Sequence, residues 1–267
     1  MIKRTAIILA ALLAGAAASA QSPLWLRKNA ISPDGKTIAF TYKGNLFTVP
    51  SQGGKAAQLT SNAAYESDPV WSRDGKSIYF SSWRDGNKDV YVTTPEGGVP
   101  KRLTDYPGNE TPMAALRDGS LVISASIQQD PSYGGFPVGT QLYIIGSEGA
   151  PKQLTTLPVS AISAGEGIFL YEDYKGYEDA FRKHHTSSVT RDIWLCRTSN
   201  GLIDKNSAFT KLTSFQGEDR NPVLGADGKT FWWLSEQNGK TINVFRSSID
   251  NPAQSVQLTF AEKDPVR

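Results

Sequence analysis

Two short motifs recur along this chain in fixed alternation. Leu-Thr stands at Leu59-Thr60, Leu103-Thr104, Leu154-Thr155, Leu212-Thr213 and Leu258-Thr259. The Asp-Gly of the first hairpin stands at Asp34-Gly35, Asp74-Gly75, Asp118-Gly119 and Asp227-Gly228, and the fourth copy keeps only the degenerate Ala164–Gly167 in its place. A period of roughly 40–50 residues is that of a radial or stacked repeat, each copy one supersecondary unit. The clearest copy is Asp68–Thr104. There the apolar Asp68–Trp71 is followed by the turn Ser72–Gly75, the β-rich Ser77–Ser82, a turn at Arg84–Asn87, the run Asp89–Thr94, a turn at Pro95–Gly98 and the closing Lys101–Thr104. Runs rich in Val, Ile, Tyr, Phe and Trp between Asp-Gly and Gly-Gly turns predict four antiparallel strands joined by tight hairpins. Four-stranded units repeated about an axis make a β-propeller.

The chain therefore reads as all-β, with blades over approximately 28–60, 68–104, 110–155, 158–213 and 219–259. The blades are WD-repeat-like in strand number, but no copy carries the Gly-His and Trp-Asp pairs of that type. In the first blade Lys43-Gly44 predicts a two-residue hairpin turn. In the third, Ile127–Thr140, with Pro131, Gly134, Gly135, Pro137 and Gly139, predicts a long surface loop. After the fifth blade, Ala261-Glu262-Lys263-Asp264-Pro265-Val266 matches Tyr65–Val70, the opening of a blade. The expectation is thus five complete blades and the first strand of a sixth, incomplete from residue 262. An arc ending there leaves strand edges and apolar faces open, which favours truncation of a longer protein. A closed five-bladed ring, with Asp264–Val266 completing a blade near Leu24–Lys28, is the alternative.

Residues 1–20 stand outside the repeat. Lys3 and Arg4 precede an apolar run from Ala6 to Ala18, and Ala18-Ser19-Ala20 supplies small residues for a signal peptidase. The run is too short and Ala-rich for a spanning helix, so a cut after Ala20 and export to the periplasm are expected. The leader carries two of the 28 basic residues and no acidic one, leaving 26 of each sign in residues 21–267. A neutral surface of mixed charge gives no reason to expect nucleic acid or an anionic membrane as partner. The single Cys196 excludes an internal disulfide and reads as a small buried apolar residue in the strand-like Asp192–Thr198.

The concentrated chemistry lies in the fourth copy. Between Gly167–Tyr171 and Asp192–Arg197 sits Glu172–Arg191, which holds both histidines of the protein. Acidic Glu172, Asp173, Glu178 and Asp179 give way to Arg182, Lys183, His184 and His185, and then to Thr186, Ser187, Ser188 and Thr190. A catalytic reading fails on geometry. Adjacent residues of a strand point to opposite faces, so His184-His185 is no chelating pair there, and the chain contains no Gly-Xaa-Ser-Xaa-Gly elbow. No catalytic residue, metal or cofactor is assigned. The segment reads instead as a salt-bridged insertion in which Arg182, Lys183, His184, His185 and Arg191 contact a peptide or another domain. A glycoside-cleaving propeller is disfavoured, since the Ser-Xaa-Asp-Gly turns lack the Gly spacing of the sialidase motif and no paired carboxylates stand out.

These residues carry a resemblance. The opening Pro23-Leu24-Trp25-Leu26-Arg27 through Ile31-Ser32-Pro33-Asp34-Gly35-Lys36-Thr37-Ile38-Ala39-Phe40 resembles that of exported proteins similar to the tricorn protease, serine peptidases of the tail-specific protease superfamily. So do Lys175-Gly176-Tyr177-Glu178-Asp179, Arg182 to Ser188 and Arg191-Asp192-Ile193-Trp194, which look like that family's insertion in blade four. The Asp-Gly repeats are less specific, being shared with TolB-type propellers. The resemblance implies a six-bladed propeller followed, in the family, by a second propeller, a PDZ domain and two catalytic-core segments that hold the nucleophile and its histidine. It implies a non-catalytic role for this chain: filtering or guiding peptides or unfolded polypeptide toward or away from a core absent here, within a possible homo-oligomer. A stand-alone periplasmic TolB-like binding or scaffolding propeller is the alternative.

Overall fold

The computed structural model describes residues 26–127, 141–146, 150–176, 186–198, 201, 203–239 and 241–262. They form five antiparallel sheets of four strands, each a meander whose strand order follows the sequence. The first holds β1 (Leu26–Ile31), β2 (Thr37–Tyr42), β3 (Asn45–Pro50) and β4 (Ala57–Gln58). The second holds β5 (Glu66–Trp71), β6 (Ile78–Ser82), β7 (Asp89–Thr94) and β8 (Gly97–Arg102). β9 (Thr111–Ala115), β10 (Leu121–Ala125), β11 (Gln141–Ile145) and β12 (Lys152–Thr155) make the third. β13 (Val159–Ala164), β14 (Ile168–Asp173), β15 (Ile193–Arg197) and β16 (Ala208–Lys211) make the fourth. β17 (Asp219–Leu224), β18 (Thr230–Ser235), β19 (Asn243–Ser248) and β20 (Asn251–Gln257) complete the fifth.

The predicted hairpins form for the predicted reason. β2 and β3 pair from Thr37↔Pro50 to Tyr42↔Asn45. Lys43 and Gly44 then turn the chain with φ of 49° and 80°, the left-handed pair that matches the twist of a two-residue hairpin. The first strands β1, β5, β9, β13 and β17 contact one another in succession, so they line the axis and the later strands of each sheet lie outward. Each first strand is bulged where its register with the second strand slips. Asp68 and Asn221 sit at two of these bulges with φ of 56° and 53°, a conformation that short polar side chains tolerate best.

Burial follows the stacking of blades. Ala39, Leu46, Trp71, Ile78 and Phe80 join the first two sheets, and Val90, Ala115, Ile123 and Tyr143 join the second and third. Val122, Leu142, Ile162, Phe169 and Cys196 lie between the third and fourth. Leu170, Leu195, Phe231, Trp233 and Phe245 lie between the fourth and fifth. Among the described residues no corresponding cluster joins the fifth sheet to the first. Cys196 is a buried free thiol inside one of these cores, and burial pushes its pKa up, as its reading from sequence requires.

Two expectations shift or fall outside view. The fourth-blade insertion is shorter than the charge pattern suggests, because β14 extends through Glu172 and Asp173, with Glu172 paired opposite Ile193. Both carboxylates find internal partners, which lets the strand continue. The expected loop at 127–140 lies outside the described residues apart from Ile127, as does the expected sixth-blade opening beyond residue 262.

Candidate functional site

Because consecutive strands alternate in direction, the two ends of the propeller are built differently. One end carries the turns between first and second strands, including Asp34-Gly35, Asp74-Gly75, Asp118-Gly119 and Asp227-Gly228. The other carries the Leu-Thr hand-over to the next blade and the connections between second and third strands, with the long insertion among them. At this second end Leu-Thr acts as a bracket. Leu59, Leu103, Leu212 and Leu258 donate their backbone N–H groups to the carbonyls of Leu46, Val90, Ile193 and Val244. The N–H groups of those same four residues donate to the hydroxyls of Thr60, Thr104, Thr213 and Thr259.

Three of these threonines also face a buried carboxyl at the start of the next blade. Thr60 donates to Glu66, six residues on, Thr104 faces Glu110, and Thr213 faces Asp219. Glu66 is paired with Arg84. Burial pushes Asp219 up to about 6 and Glu110 up to about 7, with Asp89 beside Glu110 adding to the rise. These acids were not singled out from sequence, although the constant spacing Thr60–Glu66, Thr104–Glu110 and Thr213–Asp219 is a readable signal.

The described ends of the insertion lie at this same end, where they link the fourth blade to the start of the fifth. Arg191 donates from Nη1 to Glu172 Oε1 at 2.6 Å, and its guanidinium lies 5.7 Å from the centre of the Tyr174 ring. The other oxygen of Glu172 accepts the backbone N–H of Asn221 at 2.7 Å, so this pair ties blade four to blade five. Asp192 is buried and receives Lys175, while Lys211 reaches it at 2.9 Å. Burial would lower the pKa of Lys175, but Asp192 and Asp173 outweigh it and hold the ammonium above its usual range. Trp194 Nε1 donates to Asp173 Oδ2 at 3.1 Å.

Above this framework lies an open pocket of about 400 Å³, lined by Lys175, Thr186, Ser187, Ser188, Lys211 and Phe215, among others. Thr190 underlies it, its hydroxyl within 3.0 Å of the Gln216 carbonyl. The lining is a rim of hydroxyls with two ammonium groups already shared with a carboxylate. It can hydrogen-bond a polar main chain or an amide. Of the residues expected to make contacts, Arg191 is committed to Glu172, and Arg182, Lys183, His184 and His185 lie outside the described residues. Among the described residues no three His, Cys, Asp or Glu side chains converge as a metal site.

Repeated four-stranded antiparallel sheets around an axis define a β-propeller. The chain belongs to the family of the tricorn protease N-terminal beta propeller domain, whose model matches residues 23–267. It is 27% identical over 173 residues to tricorn protease homolog 1 of Streptomyces coelicolor, covering 63% of this chain and 16% of that protein. It is also 27% identical over 215 residues to the uncharacterized peptidase YuxL of Bacillus subtilis, covering 76% and 28%. The chain thus spans less than a third of the length of either relative. In structure it is similar to the crystallised tricorn protease, with a TM-score of 0.66 at 19% identity over 91% of this chain and 24% of that one. TolB from Acinetobacter baumannii gives a TM-score of 0.60 at 16% identity over 88% and 52%. At such identities these two likenesses speak to the fold.

Proposed function

We propose that this chain is the non-catalytic propeller part of an exported tricorn-like serine peptidase, filtering or guiding peptides to or from a proteolytic core that lies outside it. The observation that carries the reading is the family match across residues 23–267. The hydroxyl-lined pocket suits polypeptide main chain. In this reading residues 1–20 are removed after Ala20 and the domain works in the periplasm. Its partners are peptides or unfolded polypeptide, the remaining domains of the same protein, and further copies of it in a homo-oligomer. Arg182, Lys183, His184 and His185 contact peptide or a neighbouring domain from the insertion, and Arg191 serves them by anchoring its base.

The test is the intact mass of the native polypeptide, captured from its source cells with an antibody against residues after Ala20. A mass several times 29.0 kDa is expected. A mass slightly below that value would overturn the peptidase reading in favour of a free-standing, TolB-like scaffolding module. In the native protein, replacing Arg182 and Lys183 with Ala is expected to slow peptide turnover or change oligomer size while the fold persists. No change in either removes those residues from the contact.

A further inference from the structure

The opposite end of the axis carries chemistry that the pocket does not use. In each blade one residue stands directly before the Asp-Gly turn, just past the end of the axial strand: Pro33, Arg73, Arg117, Glu166 in the degenerate copy, and Ala226. Five such positions ring the mouth. Two are arginines. Arg117 is neutralised by Glu166 of the next blade, Nη1 to Oε2 at 2.9 Å. Arg73 behaves differently: its guanidinium skips the third blade altogether and donates to the carbonyl of Ala164, at the end of the axial strand of blade four. The side chain therefore lies as a chord across this end of the axis. A neutral carbonyl is its partner, and among the described residues no carboxylate pairs with it. The aspartates of the surrounding turns point elsewhere. Asp34, Asp74 and Asp118 accept the hydroxyls of Ser32, Ser72 and Ser120 in their own hairpins, and Asp227 accepts that of Thr230.

We propose that this mouth recognises acidic segments of polypeptide, with Arg73 as the residue that reads their Asp or Glu side chains. The inference rests on the peptide-handling reading above and adds the class of substrate. A guanidinium has five N–H donors in a rigid fork, so one bond to a carbonyl leaves a pair free to take a carboxylate in bidentate fashion. Burial, and then the neighbouring charge of Arg117, hold Arg73 below the usual arginine range. Lysine-rich segments meet the same charges with the opposite sign, so the mouth selects as well as binds.

The experiment is fluorescence anisotropy with three labelled, C-terminally amidated peptides of equal length, identical except for Glu, Lys or Ser at alternating positions. They are titrated into the wild-type protein, Arg73→Gln and Arg73→Lys. Amidation removes the terminal carboxylate, so only side chains are read. The wild type is expected to bind the Glu peptide roughly tenfold or more tightly than the Ser peptide, and the Lys peptide weakest. Arg73→Gln is expected to bind the Glu and Ser peptides alike, and Arg73→Lys to retain part of the preference. Equal binding of all three peptides by the wild type overturns the acidic preference and leaves peptide handling standing. A preference that survives Arg73→Gln overturns the role of Arg73, and circular dichroism of both variants separates that result from unfolding. Failure to bind any peptide overturns the peptide-handling reading together with this one.

Discussion

Glu66 and Glu110 occupy the same place in successive blades, and only one of them meets an arginine from its own sheet. Arg84 reaches Glu66, whereas the register of β9 with β10 puts Ile127 where blade two has Arg84. Glu110 is fully buried, and neither of its carboxyl oxygens reaches a hydrogen-bond partner. Its charged surroundings are Asp89, with Arg102 beyond it, and Tyr106. Burial first, and Asp89 second among the groups that raise it, move its pKa from 4.5 to about 7. The folded protein therefore keeps a proton that the unfolded chain releases, and stability falls as pH rises between those two values. A shift of that size corresponds to about 3 kcal/mol, lost in full above pH 7. Glu110→Gln, which keeps the shape and removes the charge, is expected to gain about 1–3 kcal/mol over wild type at pH 8 and to match it within about 1 kcal/mol at pH 4. Urea denaturation of both proteins at the two pH values reads this directly. Parallel pH profiles would show that Glu110 does not carry the proton.

The element that repeats is the bracket that closes four of the five blades. Thr213 accepts the N–H of Ile193 at 3.0 Å and also helps to hold the carboxyl of Asp219. Thr213→Val preserves volume and leaves a buried donor without a partner, a loss of about 1–3 kcal/mol, while the same change at exposed Thr210 is expected to cost little. Thermal denaturation of the two variants makes the comparison, and equal losses would mean that the Leu-Thr motif is merely a strand-ending sequence. The motif shows why the fold was legible. The Leu-Thr bracket and the Asp-Gly turn each satisfy a backbone requirement in four of the five blades, so they recur in the sequence and fix strand number and order. The buried acids were less visible because a single Glu or Asp in a turn looks like a solvated charge; only the packing above it reveals burial. The site was legible in part. The charge pattern located the insertion, but Arg191 looks in sequence like a contact residue, and its guanidinium is spent on Glu172. Arg73 carried no sequence signal at all, since its partner Ala164 is 91 residues away and is a main-chain carbonyl.

At the scale of the whole molecule, stability is set by how many neighbours each blade has. Blades two, three and four are packed on both sides, so their central strands are buried on both faces: every residue of β10 is buried, and β14 is buried through Tyr171 and Glu172. The first and fifth blades each contribute to one cluster. Among the described residues no second cluster covers their other faces, and β1 is exposed at all but one residue, unlike the first strands of blades two to four. In a repeat array the free energy of a unit is its own contribution plus one coupling per neighbour, and each coupling here contains several side chains worth about 1.5–3 kcal/mol apiece on burial. A blade with one coupling opens at lower cost than a blade with two. Native-state hydrogen exchange of this 267-residue chain is therefore expected to be graded, with β10, β11, β14 and β15 most protected and β1, β2, β19 and β20 opening first. The same measurement on the longest native form separates two origins of the gradient. Protection of β1 and β20 that rises to the level of β10 would mean that further chain covers the open faces. A flat profile in the 267-residue chain would mean that blades one and five are coupled to each other through contacts beyond the four clusters, and that the array opens as one unit.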